Sequence, residues 1–267
     1  MRHKAALFDL DDTLYPYPPC NEAGKEAGFE AFGELGYDID RARYDELYAA
    51  GRRETKRELA GTAASHERFI YYKKALRRQT GTHDATEALT LGEAYWGAYL
   101  DAMEPFEGIG ALLAELQAAG IDVAIVTNLT TRIQLKKLTR LGLDDHIDLV
   151  VTSEEVGREK PSALPFTTAL AAFDRRPSEA VVIGDNPTAD VGGGNAIGAA
   201  TVLFDARAAE RGVGGSHGGG STDDSESSDD DDTNDDGDGT IDVTDLPPTE
   251  RPDHLVRSVD ELATVLR

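Results

Sequence analysis

The stretch His3 to Tyr15, HKAALFDLDDTLY, constrains this chain more than any other. Ala5, Ala6, Leu7 and Phe8 form an apolar run of strand length, and Asp9, Asp11 and Asp12 follow at once. Carboxylates crowded at the end of a buried strand lose hydration and repel one another, so they call for a compensating charge. A divalent cation would cancel the repulsion, and the Thr13 hydroxyl could orient one of the carboxylates. The plainer alternative is a solvated turn that caps the following helix.

From Thr13 the character changes. TLYPYPPCNEAG holds three prolines and a glycine and reads as a loop. Its Cys20, the chain's single cysteine, excludes an internal disulfide, fits a reducing cytoplasm and reads as a bystander thiol in that loop. From about Glu22 to Tyr99 the pattern is helical almost throughout. Phe29, Phe32 and Leu35 recur at helical spacing before Gly36, and a second helix runs from about Asp40 to Ala60 with Tyr44, Leu47 and Tyr48 on one face. A third carries Phe69, Ile70, Tyr72, Lys73 and Leu76, and a fourth spans about Ala85 to Leu100 around Tyr95 and Trp96.

From Met103 strands and helices alternate. Gly108 to Ala119 reads as an amphipathic helix ended by Gly120, IDVAIVTN as a buried strand, and Arg132 to Leu141 as a helix closed by Gly142. IDLVVTS is the next strand, followed by a helix from about Leu164 to Phe173 and by the strands AVVIGDN and TVLFDA. This alternation predicts an α/β fold, a doubly wound, Rossmann-like parallel sheet whose ligand site lies beyond the C-terminal ends of the strands. At those ends stand Asp9 and Asp11, Thr127-Asn128, and Gly184-Asp185, with Lys160-Pro161 in the loop after the third strand. Acids, a hydroxyl and an amine are thus delivered to one edge.

FDLDDTL resembles the first motif of the haloacid dehalogenase (HAD) superfamily, in its phosphatase branch. Thr127-Asn128 resembles the second motif, Lys160-Pro161 the third, and GDNPTAD, with Asp185 and Asp190, the fourth. The all-helical block after the first strand resembles the helical cap of the superfamily's first subclass. The motifs occur in the family's order, and the resemblance covers about residues 1–206, with a weaker continuation at the C-terminus. Each motif alone has a structural explanation: a helix cap at Thr127 or Asp190, a surface lysine at 160, a turn at 184–185.

The resemblance implies a magnesium-dependent phosphomonoester hydrolase acting on a small phosphorylated metabolite. Asp9 would attack phosphorus to form an aspartyl phosphate, while Asp11 would protonate the leaving oxygen and then deprotonate the hydrolytic water. Side chains two apart on a strand face the same way, so both acids could address one phosphate. Mg2+ would sit between Asp9, the backbone carbonyl of Asp11 and Asp185, and Asp190 would steer the metal shell or pair with Lys160. Thr127 and the amide of Asn128 would hold phosphate oxygens, and Lys160 would neutralise the growing charge and keep Asp9 ionised. A phosphomutase would keep the same core. A 2-haloacid dehalogenase is disfavoured by Asp11, for which attack on carbon has no use, and a non-catalytic binding protein by the full motif set. In the helical block His66, Arg68, Tyr71 and Lys73 are candidates for contact with an anionic or sugar-like group, against a simple helical face with aromatic packing.

The organisation expected is a core from 1–15, 103–206 and 253–267, a helical cap from 16–102, and an acidic low-complexity insertion at 207–252. Residues 212–250 carry thirteen acids and no Lys or Arg, which leaves −10 of the net −23 on the rest of the chain. One-signed charge with little apolar surface predicts disorder there. Asn234, Asp236, Asp238, Gly239, Asp242 and Asp245 match the spacing of a calcium loop, suggesting a weak Ca2+ site that competes with a purely compositional explanation. Elsewhere the surface is acidic, with 19 Arg to 8 Lys, as in proteins of salt-loving organisms. That charge argues against nucleic acid as partner, and the lack of a long apolar run argues against a membrane.

Overall fold

The computed structural model describes residues 3–206 and 241–267. Six parallel strands form one sheet in the order β3-β2-β1-β4-β5-β6: β1 Ala5–Phe8, β2 Asp122–Thr127, β3 Leu149–Thr152, β4 Ala180–Gly184, β5 Ala200–Phe204 and β6 His254–Val256. Every residue of β1 is buried, as expected for a central strand covered on both faces. The alternation of side chains divides the core in two. Ala6, Phe8, Val123, Ile125, Val181 and Ile183 face one side, with helices α5 (Ile109–Ala118), α6 (Thr131–Leu141) and α10 (Val259–Leu266). Ala5, Leu7, Ala124, Val126, Ala180 and Val182 face the other, against Phe166, Ala169 and Leu170 of α8 (Ala163–Ala172). Short helices α7 (Ser153–Val156) and α9 (Gly193–Ile197) complete the core. The strand order reverses around β1, which places the crevice of the sheet at the end of that strand.

Four helices lie between β1 and α5: α1 Tyr17–Glu34, α2 Arg41–Glu58, α3 Arg68–Thr80 and α4 Ala85–Asp101. The proline-rich stretch read as a loop is the start of α1, which begins five residues before Glu22. Pro18 and Pro19 occupy its first turn, where the missing N–H costs nothing. Asp12 ends the turn that leaves β1 at φ 56°, a left-handed conformation that Asp tolerates, and its Oδ1 accepts from Tyr17 N at 3.0 Å. The helix-capping role therefore falls to Asp12, while it is buried rather than solvated. Cys20 is likewise on α1 and buried, not in a loop, and burial pushes its thiol up to about 11. Aromatic rings fill the centre of the helical block: Phe32, Tyr44, Tyr48, Tyr72 and Tyr95 pack together, and the hydroxyls of Tyr44 and Tyr72 bond at 2.8 Å. The two connections to the core run side by side, with Phe106 N donating to Leu14 O at 2.9 Å.

Of the segment 207–252 expected to be disordered, 207–240 lies outside the described residues, and with it Asn234, Asp236, Asp238 and Gly239 of the calcium-like spacing. Residues 241–252 depart from the expectation. Pro248–Glu250 form a short 3-10 turn, Arg251 donates to the carbonyls of Leu246 and Thr244, and Asn195 Nδ2 donates to the carbonyls of Thr249 and Arg251 at 2.9 and 3.0 Å. Polar side-chain bonds to backbone, rather than apolar burial, order this stretch and feed β6 into the sheet. Asp242, expected as a calcium ligand, accepts from the N–H and hydroxyl of Thr244, which lowers its pKa. No helix among the described residues is long and apolar enough to cross a membrane.

Candidate active site

Asp9 follows the last residue of β1, and its N–H donates to Ile183 O of β4 at 2.8 Å. Thr127 closes β2, and Asp185 follows Gly184 at the end of β4. Three adjacent strands thus bring these groups to one edge. Lys160 comes from the loop between α7 and α8, which Asn128 fixes: its Oδ1 accepts from Lys160 N at 2.8 Å and its Nδ2 donates to Lys160 O at 3.3 Å. Only the backbone amide of Asn128 was expected to matter. Its side chain has the separate task of setting the lysine's position.

The Lys160 ammonium lies 2.6 Å from Asp9 Oδ1 and 2.6 Å from Asp190 Oδ1, with its side chain 3% exposed. Asp190 sits on a wide helical turn, Pro187–Gly192, capped by Asn186 Oδ1 accepting from the N–H groups of Thr188 and Ala189. Its second oxygen accepts from Asn186 N at 3.1 Å. Asp190 thus pairs with Lys160, one of the two roles expected for it, and its carboxylate also stands in the cluster with Asp9 and Asp185. Gly184 makes room for it: a Cβ there would stand 2.1 Å from Asp190 Oδ2.

Burial pushes the Asp9 carboxyl up to about 7, against the pull of Lys160, and the charges of Asp190 and Asp11 add to the rise. Desolvation works the other way on Lys160, but its two carboxylates outweigh it and hold its pKa above the usual value. The immediate site contains four carboxylates, Asp9, Asp11, Asp185 and Asp190, and two ammonium groups, Lys160 and Lys137. It is therefore short of positive charge. Asp9, Asp185 and Asp190 bring carboxylate oxygens within 4.8 Å of one another. An all-oxygen donor set with excess negative charge suits a hard divalent cation.

Asp11 is handled differently from Asp9. The strand ends at Phe8, so strict alternation no longer governs where Asp11 points. Its carboxylate is gripped by Lys137, whose Nζ is 2.7 Å from both oxygens, and Oδ1 also accepts from Tyr15 OH at 2.7 Å. The side chain of Asp11 is thus not in the carboxylate cluster, which leaves only its backbone carbonyl for the metal contact expected of it. Thr13 does not orient a carboxylate: its buried hydroxyl has no hydrogen-bond partner among the described residues. Thr127 Oγ1 instead accepts from Gln134 Nε2 at 2.5 Å.

Lys137 and Gln134 were missed by the sequence reading, although a signal existed. Gln134, Lys137, Leu138 and Leu141 fall at the i, i+3, i+4, i+7 positions of one buried stripe of α6. Two long polar residues on a core-facing stripe mark a place where chemistry overrides packing. In the helical block, His66 Nε2 lies 2.8 Å from Glu159 of the core, Tyr71 OH donates to Ser65 O, and Lys73 is exposed. Arg68 is buried, donating to His66 O and to the hydroxyls of Tyr17 and Tyr95 beneath the Trp96 ring. Aromatic packing is the dominant environment of that face.

A sequence profile of the haloacid dehalogenase-like hydrolases matches residues 3–198. This chain belongs to that family. It is 58% identical over 201 residues, 75% of this chain and 84% of the relative, to a ribulose-1,5-bisphosphate 5-phosphatase of Halopiger xanaduensis. A glyceraldehyde 3-phosphate phosphatase of Methanopyrus kandleri is 32% identical, over 74% of this chain and 82% of its own. Among solved structures, a HAD phosphatase from Thermococcus onnurineus superposes with a TM-score of 0.66 at 20% identity, covering 98% of this chain and 97% of its own. A 2-haloacid dehalogenase from Pseudomonas syringae gives 0.64 at 22%, covering 99% and 98%, so the architecture alone does not distinguish attack on phosphorus from attack on carbon. The protein is an enzyme, a phosphatase of this hydrolase family.

Proposed function

We propose that this enzyme hydrolyses the phosphate ester of a small phosphorylated sugar through an aspartyl phosphate on Asp9, with ribulose 1,5-bisphosphate, cleaved at C5, the first candidate substrate. The observation that carries the mechanism is the Lys160 bridge, which fixes Asp9 Oδ1 and leaves the carboxylate at the strand edge, 11% exposed. The substrate rests on the Halopiger xanaduensis relative, at 58% identity, and on the sugar-phosphate phosphatase from Methanopyrus kandleri.

Asp9 attacks phosphorus, the bond from phosphorus to the sugar oxygen breaks, and that oxygen takes a proton from Asp11. Water then attacks the aspartyl phosphate, Asp11 accepts the water's proton, and inorganic phosphate departs with Asp9 restored. Thr127 and the amide of Asn128 bind phosphate oxygens, and Lys160 neutralises charge as it develops. Asp9, Asp185 and the backbone carbonyl of Asp11 would hold Mg2+, with Asp190 acting beside them through Lys160; when bound, the ion supplies electrostatic stabilisation of the transferring phosphoryl group. Helices α1 to α4 act as a lid that sheds water from the site, hinged at the paired connections around Leu14 and Phe106. The acidic, lysine-poor surface fits a cytoplasmic enzyme working at high ionic strength.

Phosphate release from ribulose 1,5-bisphosphate, glyceraldehyde 3-phosphate, phosphoserine and phosphoglycolate, measured with magnesium at high salt, tests the reading. The expected result is a kcat/KM for the bisphosphate about tenfold or more above the others, with ribulose 1-phosphate as the organic product, a preference of the size that a few pocket contacts supply. Equal rates on all four would remove the substrate assignment. A phosphoryl group returned to the sugar without phosphate release would make the enzyme a mutase.

A further inference from the structure

Lys137 is assigned no role above, yet it is the most deeply buried charge in contact with the catalytic acids. We propose that Lys137 is a positioning residue for Asp11: together with Tyr15 it commits Oδ1 to the protein, and as the single partner of Oδ2 among the described residues it aims that oxygen for proton exchange with leaving group and water. The proposal rests on the phosphatase reading just given.

The geometry is asymmetric about the carboxylate. Oδ1 receives both Lys137 Nζ and Tyr15 OH, each at 2.7 Å, whereas Oδ2 receives Lys137 alone among the described residues. The Tyr15 hydroxyl is itself held 2.5 Å from that of Tyr99, on α4 of the helical block. Lys137 cannot swing away, because its ammonium is walled by the rings of Tyr15, Trp96 and Tyr99 at 5.8, 5.8 and 5.3 Å. The lysine side chain is 1% exposed and that of Asp11 28%, so the acid remains accessible while its holder does not. A buried ion pair of this kind is a poor source of stability, since an apolar pair of like volume commonly serves as well or better. What it supplies is orientation. One turn earlier on the same face of α6, Gln134 holds the Thr127 hydroxyl, so a single helix sets both the proton carrier and a phosphate-binding group.

Proton and bond accounting is unchanged by the assignment. In the first half-reaction the proton leaves Oδ2 for the sugar oxygen as the bond from that oxygen to phosphorus breaks. In the second, the attacking water forms its bond to phosphorus, the bond from phosphorus to Asp9 breaks, and the water's proton passes to Oδ2.

The test compares Lys137→Met, Lys137→Arg and Tyr15→Phe with the unaltered full-length protein, using p-nitrophenyl phosphate and magnesium. Because p-nitrophenolate leaves without a proton, the first step is spared and the second, which needs Asp11 as base, is exposed. Lys137→Met should give a larger p-nitrophenolate burst than the unaltered protein, followed by steady-state turnover slower by about tenfold to a hundredfold, less than the full loss of an acid–base group because Asp11 itself remains. Lys137→Arg should recover most of the steady-state rate, and Tyr15→Phe should show the same enlarged burst with a slowing of about threefold to tenfold, one neutral donor having been removed. A merely structural role for Lys137 would lower burst and steady state together. That result, or unaltered kinetics in Lys137→Met, would overturn the proposal. Should Lys137→Met fail to fold, Tyr15→Phe decides: an unchanged burst and rate there overturn it equally. No magnesium-dependent phosphate release from the unaltered protein would overturn the phosphatase reading itself, a failure visible before any variant is compared.

Discussion

The ammonium of Lys160 stands 2.6 Å from Asp9 and 2.6 Å from Asp190, so one buried cation joins the end of the first strand to the turn after the fourth. Lys160→Met should lower kcat by about a hundredfold to a thousandfold, the usual loss for one preorganised electrostatic group. It also strands Asp190, 2% exposed, beside an uncompensated Asp9. Stability should fall by about 3–5 kcal/mol, as when one partner of a buried pair is removed. Steady-state kinetics and urea denaturation on the same preparation check both effects.

Asp9→Asn should remove turnover while leaving the fold intact. The amide keeps the volume but cannot attack phosphorus. Burial pushes the Asp9 carboxyl up to about 7, so its charge burdens the metal-free fold, and the variant should melt no lower than the unaltered protein. Turnover with magnesium, together with thermal melting by circular dichroism, decides. Near wild-type rates would end Asp9's claim to be the nucleophile.

Stripping divalent ions with a chelator should abolish phosphate release, and added Mg2+ should restore it. Asp185→Asn should raise the Mg2+ concentration giving half-maximal activity by about tenfold or more, the scale seen when groups supporting a metal site are lost. Calorimetric titration of magnesium into the unaltered and variant proteins supplies a readout independent of turnover. Equal magnesium affinity in the two proteins would remove Asp185 from the metal site.

Gly184→Ala tests the packing behind the site. The added Cβ, at the end of β4, would fall 2.1 Å from Oδ2 of Asp190, whose turn is held by Asn186 and Lys160. The variant should lose about 1–3 kcal/mol, as overpacked cores do. Its kcat should fall as well, because Asp190 cannot shift without moving Lys160. Denaturation midpoint and kcat should therefore drop together, and wild-type values of both would contradict this account of the glycine.

Much of this enzyme is written in local sequence. Apolar runs such as Ala5 to Phe8 and Val123 to Val126 have no stable place except a sheet covered on both faces, and their alternation with amphipathic helices dictates parallel pairing. That pairing in turn collects Asp9, Thr127 and Asp185 at one edge, so these positions were legible from order and spacing alone. What spacing could not decide was which side chain each charge would meet. Lys137 lies 126 residues from Asp11, and only the packing of α6 against the end of β1 brings them to 2.7 Å. The prolines before Cys20 read as a loop, because a first helical turn admits the same residues, and the Asp12 cap makes them the helix start. Residues 241–252 carried too little apolar surface to announce order, because backbone carbonyls accepting from Asn195 and Arg251 leave no mark in hydropathy. Periodicity records burial, a property each residue carries in its own side chain. Pairing of charges depends on distance between remote segments, and distance exists only once the chain has folded.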